Sequence, residues 1–241
     1  QAAGYRTGAF VGAYVLDRRF GLSGGFDIYD DRVTRDPSGT ARLEAERRGD
    51  LVATSAIEWL GRAGTQPFFA WIHLYDPHAP YAPPPEFFSK AGSGYDGEVA
   101  FADAQVRRVL DWLGGAGLTA ATVVAIASDH GEGLGDHGEM THGMLAYDST
   151  LRVPLAVAGP GIQAAVNETP VSLAGVARTL LNLTGIAAPQ EMTAAALPGT
   201  SGDARSAASD TYAETQYPAT AGWHDLSVLA FDQWKLIAAS E

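Results

Sequence analysis

The sequence predicts an α/β fold built on an open, mainly parallel sheet flanked by helices. Apolar runs of strand length stand at Gly8–Leu16, Phe68–Leu74, Thr122–Ala127 and Pro154–Ala158. Segments with apolar residues at helical spacing lie among them, and this alternation of strands with helices is the pattern of a parallel sheet whose crossovers are helical.

Taken in order, Gly8–Leu16 carries β-formers (Phe10, Val11, Tyr14, Val15) and ends in a glycine-rich turn at Gly21–Gly25. From Arg42 to Arg62 the residues Leu51, Val52, Ser55, Ala56, Trp59 and Leu60 recur at helical spacing, and Gly61 and Gly64 mark the end. Pro67 opens Phe68–Leu74, a continuous apolar run of the kind a parallel sheet buries on both faces. A second helix is predicted from Tyr95 to Leu113, with Val99, Ala102, Val106, Val109, Leu110 and Leu113 on one face and Gly114-Gly115 as its stop. Strands at Thr122–Ala127 and Pro154–Ala158 and a helix at Val171–Leu183 follow. Beyond Gly185 the texture changes to an Ala/Gly/Ser/Thr-rich linker, then Thr211-Tyr212-Ala213-Glu214 and two short strand candidates at Leu226–Phe231 and Trp234–Ala238. The expected division is therefore an α/β domain over 1–185 and a linker with the start of a smaller subdomain over 186–241.

Composition removes several classes of function. At 241 residues and 46% hydrophobic content the chain can fill a core. A net charge of -12 without a Lys/Arg stripe opposes nucleic-acid backbones. No apolar run reaches the roughly 18 residues of a spanning helix. Without cysteine there is no disulfide, thiolate metal site or cysteine nucleophile. The first residues, Gln1-Ala2-Ala3-Gly4-Tyr5, and the late strand at Trp234–Ile237 read as internal to a longer protein.

The chemistry concentrates where predicted strands end, which is where open α/β sheets bind ligands. Five of the six histidines lie between His73 and His142. The denser stretch runs Ser128-Asp129-His130-Gly131-Glu132-Gly133-Leu134-Gly135-Asp136-His137-Gly138-Glu139 and on to Thr141-His142-Gly143. Asp129 and His130, adjacent just past a strand, supply mixed oxygen and nitrogen ligation for one divalent ion. The bland alternative is that Asp129 caps the turn and His130 is a solvated loop residue; the surrounding density of titratable groups favours function. His137 and His142 are five apart and do not form the i, i+4 pair of a zinc protease. In the second stretch, His73-Leu74-Tyr75-Asp76-Pro77-His78-Ala79-Pro80-Tyr81, His73 reads as a core residue and His78 as an exposed-loop contact for a substrate anion.

Two decoys are weighed. Pro80–Pro85 matches a PxxP ligand, but it sits between a predicted strand and helix. Gly21-Leu22-Ser23-Gly24-Gly25 fits G-x-S-x-G, with Asp129 and His142 following in the chain order of an α/β-hydrolase triad, but that motif demands a helix directly after the serine. Phe26–Asp31 reads as strand or loop, so Ser23 is a turn residue.

Ser128-Asp129-His130-Gly131-Glu132, Leu134-Gly135-Asp136-His137-Gly138, His142-Gly143, Tyr147-Asp148 and Arg152-Val153-Pro154-Leu155 together resemble the metal and substrate block of the sulfatases, members of the alkaline-phosphatase superfamily. Gly4-Tyr5-Arg6-Thr7 resembles the family's GYxT segment, Asp76–Tyr81 its DPHxPY, and Trp234-Lys235-Leu236-Ile237 its late YKLI strand, so the resemblance spans nearly the whole chain. It implies an alkaline-phosphatase-like fold, incomplete at the N-terminus, and attack by an upstream formylglycine, serine or threonine on an ester held by a divalent cation. Asp129 and His130 match metal ligands; His78 and His142 match positions that contact the anionic group, as substrate-binding and catalytic residues. No nucleophile of that kind lies in this chain, and the remaining acidic ligands belong before residue 1.

The resemblance further implies calcium, with manganese and zinc as alternatives, a small-molecule or glycan sulfate ester as substrate, and an extracytoplasmic or periplasmic location. Departures are specific. Gly12-Ala13-Tyr14-Val15 replaces a Gly-Lys-Trp-His segment, His142 stands where many relatives have lysine, and Gly175 and Arg178 replace an aspartate and a proline. They leave open whether the transferred group is sulfuryl or phosphoryl, so a phosphoesterase, phosphonate hydrolase or phosphoglycerol transferase is the rival reading. A non-catalytic binding relative is a third. The 241-residue chain alone is expected to be inactive.

Overall fold

The computed structural model describes residues 2–33, 45–62, 64–200, 210–231 and 233–240. They form two compact units, Gln1–Leu118 and Thr119–Glu241.

In the first unit, β1 (Arg6–Val11) lies between β2 (Ile28–Asp30) and β3 (Phe68–His73), all parallel. The period-2 alternation of β1 divides its side chains between two cores. Phe10 packs with Val52, Ala56, Trp59 and Leu60 of α1 (Gly49–Gly61), while Ala9 and Val11 pack with Tyr29. Gly8 is the close approach that lets the Trp59 ring lie on the strand, because a Cβ there would stand 3.0 Å from that ring. α1 buries Val52, Ala53, Ala56, Trp59 and Leu60, the i, i+1, i+4, i+7, i+8 stripe of an amphipathic helix. Two further helices follow, α2 (Pro85–Ala91) and α3 (Gly94–Gly115); the Ser93 hydroxyl caps α3 by accepting from Asp96 N at 3.0 Å.

In this unit two boundaries and one helix differ from the sequence expectation. The first strand stops at Val11, and Tyr14–Leu16 forms a 3₁₀ turn that Asp17 closes by donating its N–H to Tyr14 O. The helix expected from Arg42 starts at Gly49. Residues 42–44 lie outside the described residues, and 45–48 run beside 12–14, with Arg47 N donating to Gly12 O at 2.7 Å and an antiparallel bridge between Ala13 and Glu46. The buried Arg47 guanidinium pairs with Asp30 at 3.1 Å and donates to Ser55 Oγ at 2.6 Å, which holds this stretch out of the helix. Pro85 at the first helical position nucleates α2, which apolar periodicity alone does not reveal in so short a segment. The G-x-S-x-G decoy resolves as expected: Ser23 lies in a turn, and β2 follows.

In the second unit, β4 (Val124–Ala127) pairs antiparallel with β5 (Leu155–Ala158). Between them lie the glycine-rich loop, a 3₁₀ turn at Asp136–Gly138 and the single turn of α4 (Asp148–Leu151). The strand predicted as buried at Thr122–Ala127 exposes Ile126 and Ala127. Helix α5 (Gly175–Leu183) starts four residues later than expected; the buried Thr179 hydroxyl donates to Gly175 O and accepts from Leu197 N. β6 (Thr211–Thr215), β7 (Leu226–Phe231) and β8 (Trp234–Ala239) form an antiparallel meander.

The Arg18 guanidinium grips Asp31 through Nε at 3.1 Å and Nη2 at 2.7 Å, and this hydrogen bonding lowers the Asp31 carboxyl from 3.8 to about 2. A depressed folded pKa contributes stability that is present above the unfolded value and disappears as pH falls toward the folded one. Acid unfolding of the first unit is therefore expected to steepen between pH 4 and pH 2, and Asp31→Asn should flatten that limb while lowering stability at neutral pH. Denaturant titrations at stepped pH check both; parallel acid limbs in the two proteins would remove Asp31 as the cause.

Candidate active site

The loop after β4 is shaped by its own backbone. Gly131 N donates to Thr150 O at 2.8 Å and Gly133 N to Thr141 O at 2.7 Å, so this chain segment lies directly against other main chain. A Cβ at Gly131 would stand 2.1 Å from Ser149 O, and one at Gly133 2.4 Å from Glu139 O; only glycine fits either position. Glu139 is buried, and its Oε1 accepts from Met144 N at 2.7 Å and Leu145 N at 3.2 Å, which turns the chain just past His142.

This folding brings Asp129, His130 and His142 together. The His130 and His142 rings lie 4.1 Å apart, and His130 Nε2 is 4.0 Å from Asp129 Oδ1. His130 Nδ1 contacts Gly131 O at 2.9 Å. A carbonyl only accepts, so Nδ1 carries the proton and the neutral ring presents its Nε2 lone pair toward Asp129. His142 Nδ1 lies 3.1 Å from Glu132 Oε1, a carboxylate whose side chain is only 5% exposed. Asp129 by contrast is 78% exposed, with one oxygen accepting from His130 N. His137 is stacked on Tyr147 at 3.6 Å between ring centroids, with its backbone in the left-handed region.

His78 belongs to the first unit. Its ring stacks on Tyr75 at 4.1 Å, its Nδ1 meets Ala79 O at 2.7 Å, and Tyr75 Oη lies 3.0 Å from its Nε2. The same logic places the proton on Nδ1, so Tyr75 donates to Nε2 in the neutral ring. Buried Glu98 receives the backbone of this loop: Oε2 accepts from His78 N at 3.0 Å and Oε1 from Ala82 N at 2.7 Å. Asp76 Oδ2 accepts from Gly49 N at the start of α1. Burial raises the carboxyl pKa of both Asp76 and Glu98, against the opposing pull of these N–H groups. His73, read from the sequence as a core residue, is partly buried between the rings of Trp71 and Tyr75.

Asp129 and His130 fit a shared cation as half of a shell. Two ligands at about 2.0–2.5 Å from one ion stand at most about 4.5–5 Å apart, which the observed separation meets. An imidazole whose second nitrogen donates to a backbone carbonyl is also the usual arrangement of a metal-binding histidine. Among the described residues no group of three or more His, Cys, Asp or Glu side chains is poised around one point, so the pair supplies two donors.

A family model for sulfatases matches residues 1–186. The chain belongs to the sulfatase family. Members of this family and of the alkaline-phosphatase-like group generally use a divalent cation. The sulfatase chain is 35% identical over 92 residues to a choline-sulfatase of Rhizobium meliloti (strain 1021), covering 38% of this chain and 18% of that protein. It is 41% identical over 83 residues to the iduronate 2-sulfatase of Mus musculus, covering 34% and 15%. The matched stretch is thus less than a fifth of either relative. The crystal structure of a phosphonate monoester hydrolase of Agrobacterium radiobacter superposes with a TM-score of 0.78 at 17% identity, covering 99% of this chain and 70% of that one, which shows the shared fold.

In this sulfatase chain, sequence reasoning singled out the imidazoles but passed over the glutamates that hold them. Glu132 and Glu139 appear in the sequence only as members of a motif, and Glu98 is not singled out by it. The available signal for Glu98 was its place in the first turns of α3, one short helix after a proline-rich loop whose N–H groups need acceptors.

Placing a methyl group at Gly131 is expected to displace the loop from Ser149. Gly131→Ala should destabilise the second unit by roughly 1–3 kcal/mol or more, whereas Gly61→Ala in α1, where a Cβ meets open space, should be neutral or stabilising by up to about 1 kcal/mol. Urea denaturation of the two variants distinguishes them, and equal midpoints would contradict the backbone packing described.

Proposed function

We propose that the sulfatase chain forms part of a sulfate-ester hydrolase in which Asp129 and His130 ligate a divalent cation and His78 and His142 act on the anionic group. The observation that carries this reading is the joint placement of Asp129, His130 and His142 within a chain whose family match covers residues 1–186. Calcium is the proposed ion, with manganese and zinc as alternatives; for calcium the pair must be completed by further oxygen donors.

The cation, when bound, would polarise the ester oxygens and lower the pKa of an attacking group. The residues of this chain supply orientation and protons. His130 keeps its proton on Nδ1, against Gly131 O, and offers Nε2 as a ligand. Glu132 holds the Nδ1 edge of His142, which leaves Nε2 as the edge that meets an anionic oxygen or the leaving group. His78 requires an exchange. Its Nε2 accepts from Tyr75 in the neutral ring, so contact with an anion follows protonation of Nε2 or release of that hydroxyl. The proposed substrate is a small-molecule or glycan sulfate ester. The fold shared with a phosphonate monoester hydrolase supports phosphoryl or phosphonyl esters as the second reading. The α/β region over 1–185 and the subdomain beginning at 186 are proposed as its domain division, and an extracytoplasmic setting as its location.

In the intact protein, Asp129→Ala and His130→Ala are each expected to abolish retention of the divalent cation and hydrolysis of aryl sulfates. His142→Ala and His78→Ala should retain the metal and lose turnover by roughly 10²–10⁴-fold. Metal analysis after dialysis, with turnover of an aryl sulfate and an aryl phosphate side by side, reads both. Full metal content and rate in the Asp129 and His130 variants would refute the ligand assignment, and metal loss in the His78 or His142 variants would reverse the roles. The 241-residue chain assayed alone is expected to show no turnover that depends on Asp129.

A further inference from the structure

We infer that Glu98 is the positioning residue for His78, its one carboxylate clamping both ends of the turn that carries the imidazole. This rests on the reading of His78 as an anion contact only for its consequence in catalysis; the clamp itself rests on geometry within the first unit.

The turn from Asp76 to Ala82 contains two prolines, Pro77 and Pro80, which offer no N–H. Of the N–H groups that remain, those of His78 and Ala82 converge on Glu98, at 3.0 Å to Oε2 and 2.7 Å to Oε1. The two bonds span the turn from its imidazole-bearing residue to its exit. The carboxylate comes from α3, a 22-residue helix capped by Ser93 and held by buried Phe101 and Leu113. With the backbone at 78 held, the ring of His78 meets Ala79 O through Nδ1 and Tyr75 Oη through Nε2, and it stacks on Tyr75. Tyr75 and His78 are thus registered against each other by a carboxylate that touches neither ring.

The cost of the arrangement argues that it is specific. Glu98 is buried, with 5% exposure; burial pushes its carboxyl up, and the two loop N–H groups pull it back toward the charged form. An amide cannot substitute. Glutamine at 98 keeps the shape but turns one of the two acceptors into a donor facing an N–H, which opens one end of the clamp.

The test reads the His78 ring directly, by two-bond 15N–1H correlation of the imidazoles in the full chain. In the unaltered protein His78 should show the single Nδ1–H tautomer, and the His78 and Ala82 amide protons should exchange slowly. In Glu98→Gln the His78 tautomer pattern should become mixed, while the amide protons of the central strand β1, Ala9 to Val11, stay protected from exchange and report that the first unit is folded. Tyr75→Phe should move the Nε2 signal of His78 without freeing its amide. A folded Glu98→Gln protein with an unchanged His78 pattern overturns the proposal. Should that variant not fold, amide exchange at His78 and Ala82 in the unaltered chain at the rate of unstructured peptide overturns it equally. Inorganic sulfate is then added to the unaltered protein. A response of the His78 nitrogens that weakens in Glu98→Gln supports clamp and anion contact together. A tautomer change in Glu98→Gln with no sulfate response at His78 leaves the clamp standing and removes the anion role.

Discussion

A carboxylate taken out of water must be met by donors, and in this acidic chain that requirement organises both units. Among the described residues Asp17, Asp30, Asp31, Glu98, Glu132 and Glu139 are buried, and Asp30, Asp31, Glu98 and Glu132 each gather a segment ten or more residues away. In the first unit Asp30 draws Arg47 from the stretch before α1 and Asp31 draws Arg18 from the turn after β1, while Glu98 takes two backbone N–H groups from the proline loop. In the second unit Glu139 folds the chain onto Met144 and Leu145, and Glu132 reaches the imidazole of His142. The arrangement is self-consistent in energy: a charge-assisted bond contributes more than a neutral one, and an unmet buried charge costs more than either.

The same carboxylates and the carbonyls beside them settle proton positions. His78, His130 and His142 all have Nδ1 against an acceptor, respectively Ala79 O, Gly131 O and Glu132 Oε1. Each ring therefore enters any chemistry through Nε2. For His130 this leaves the nitrogen nearest Asp129 as the ligand. For His142 it sets the Nδ1 edge against the buried Glu132 carboxylate and leaves Nε2 as the reacting edge. Chemistry of one type, an imidazole on a tight loop, is thereby directed into different roles by what stands behind it.

Particular residues mark how far the sequence was legible. The parallel arrangement of β1, β2 and β3 and the buried stripe of α1 follow from periodicity, which is a local property. Asp129, His130 and His142 were recognisable from residue type and glycine density, and they are found together. The start of α1 was misjudged by several residues because Arg47 and Arg48 have good helix propensity, while the competing bond from Arg47 to Asp30 is visible only once β2 is in place. The antiparallel pairing of β4 with β5 was missed because strand direction leaves no mark on composition.

From the sequence alone come the fold class, the family, and the list of residues able to hold a cation or meet an anion, because each depends on residue type and short-range spacing. Tertiary structure alone decides which glutamate stands behind which histidine, which ring nitrogen carries the proton, and why Gly131 and Gly133 admit no side chain. Those are relations between atoms brought within about 3 Å by folding, and a linear pattern contains the residues without containing their distances.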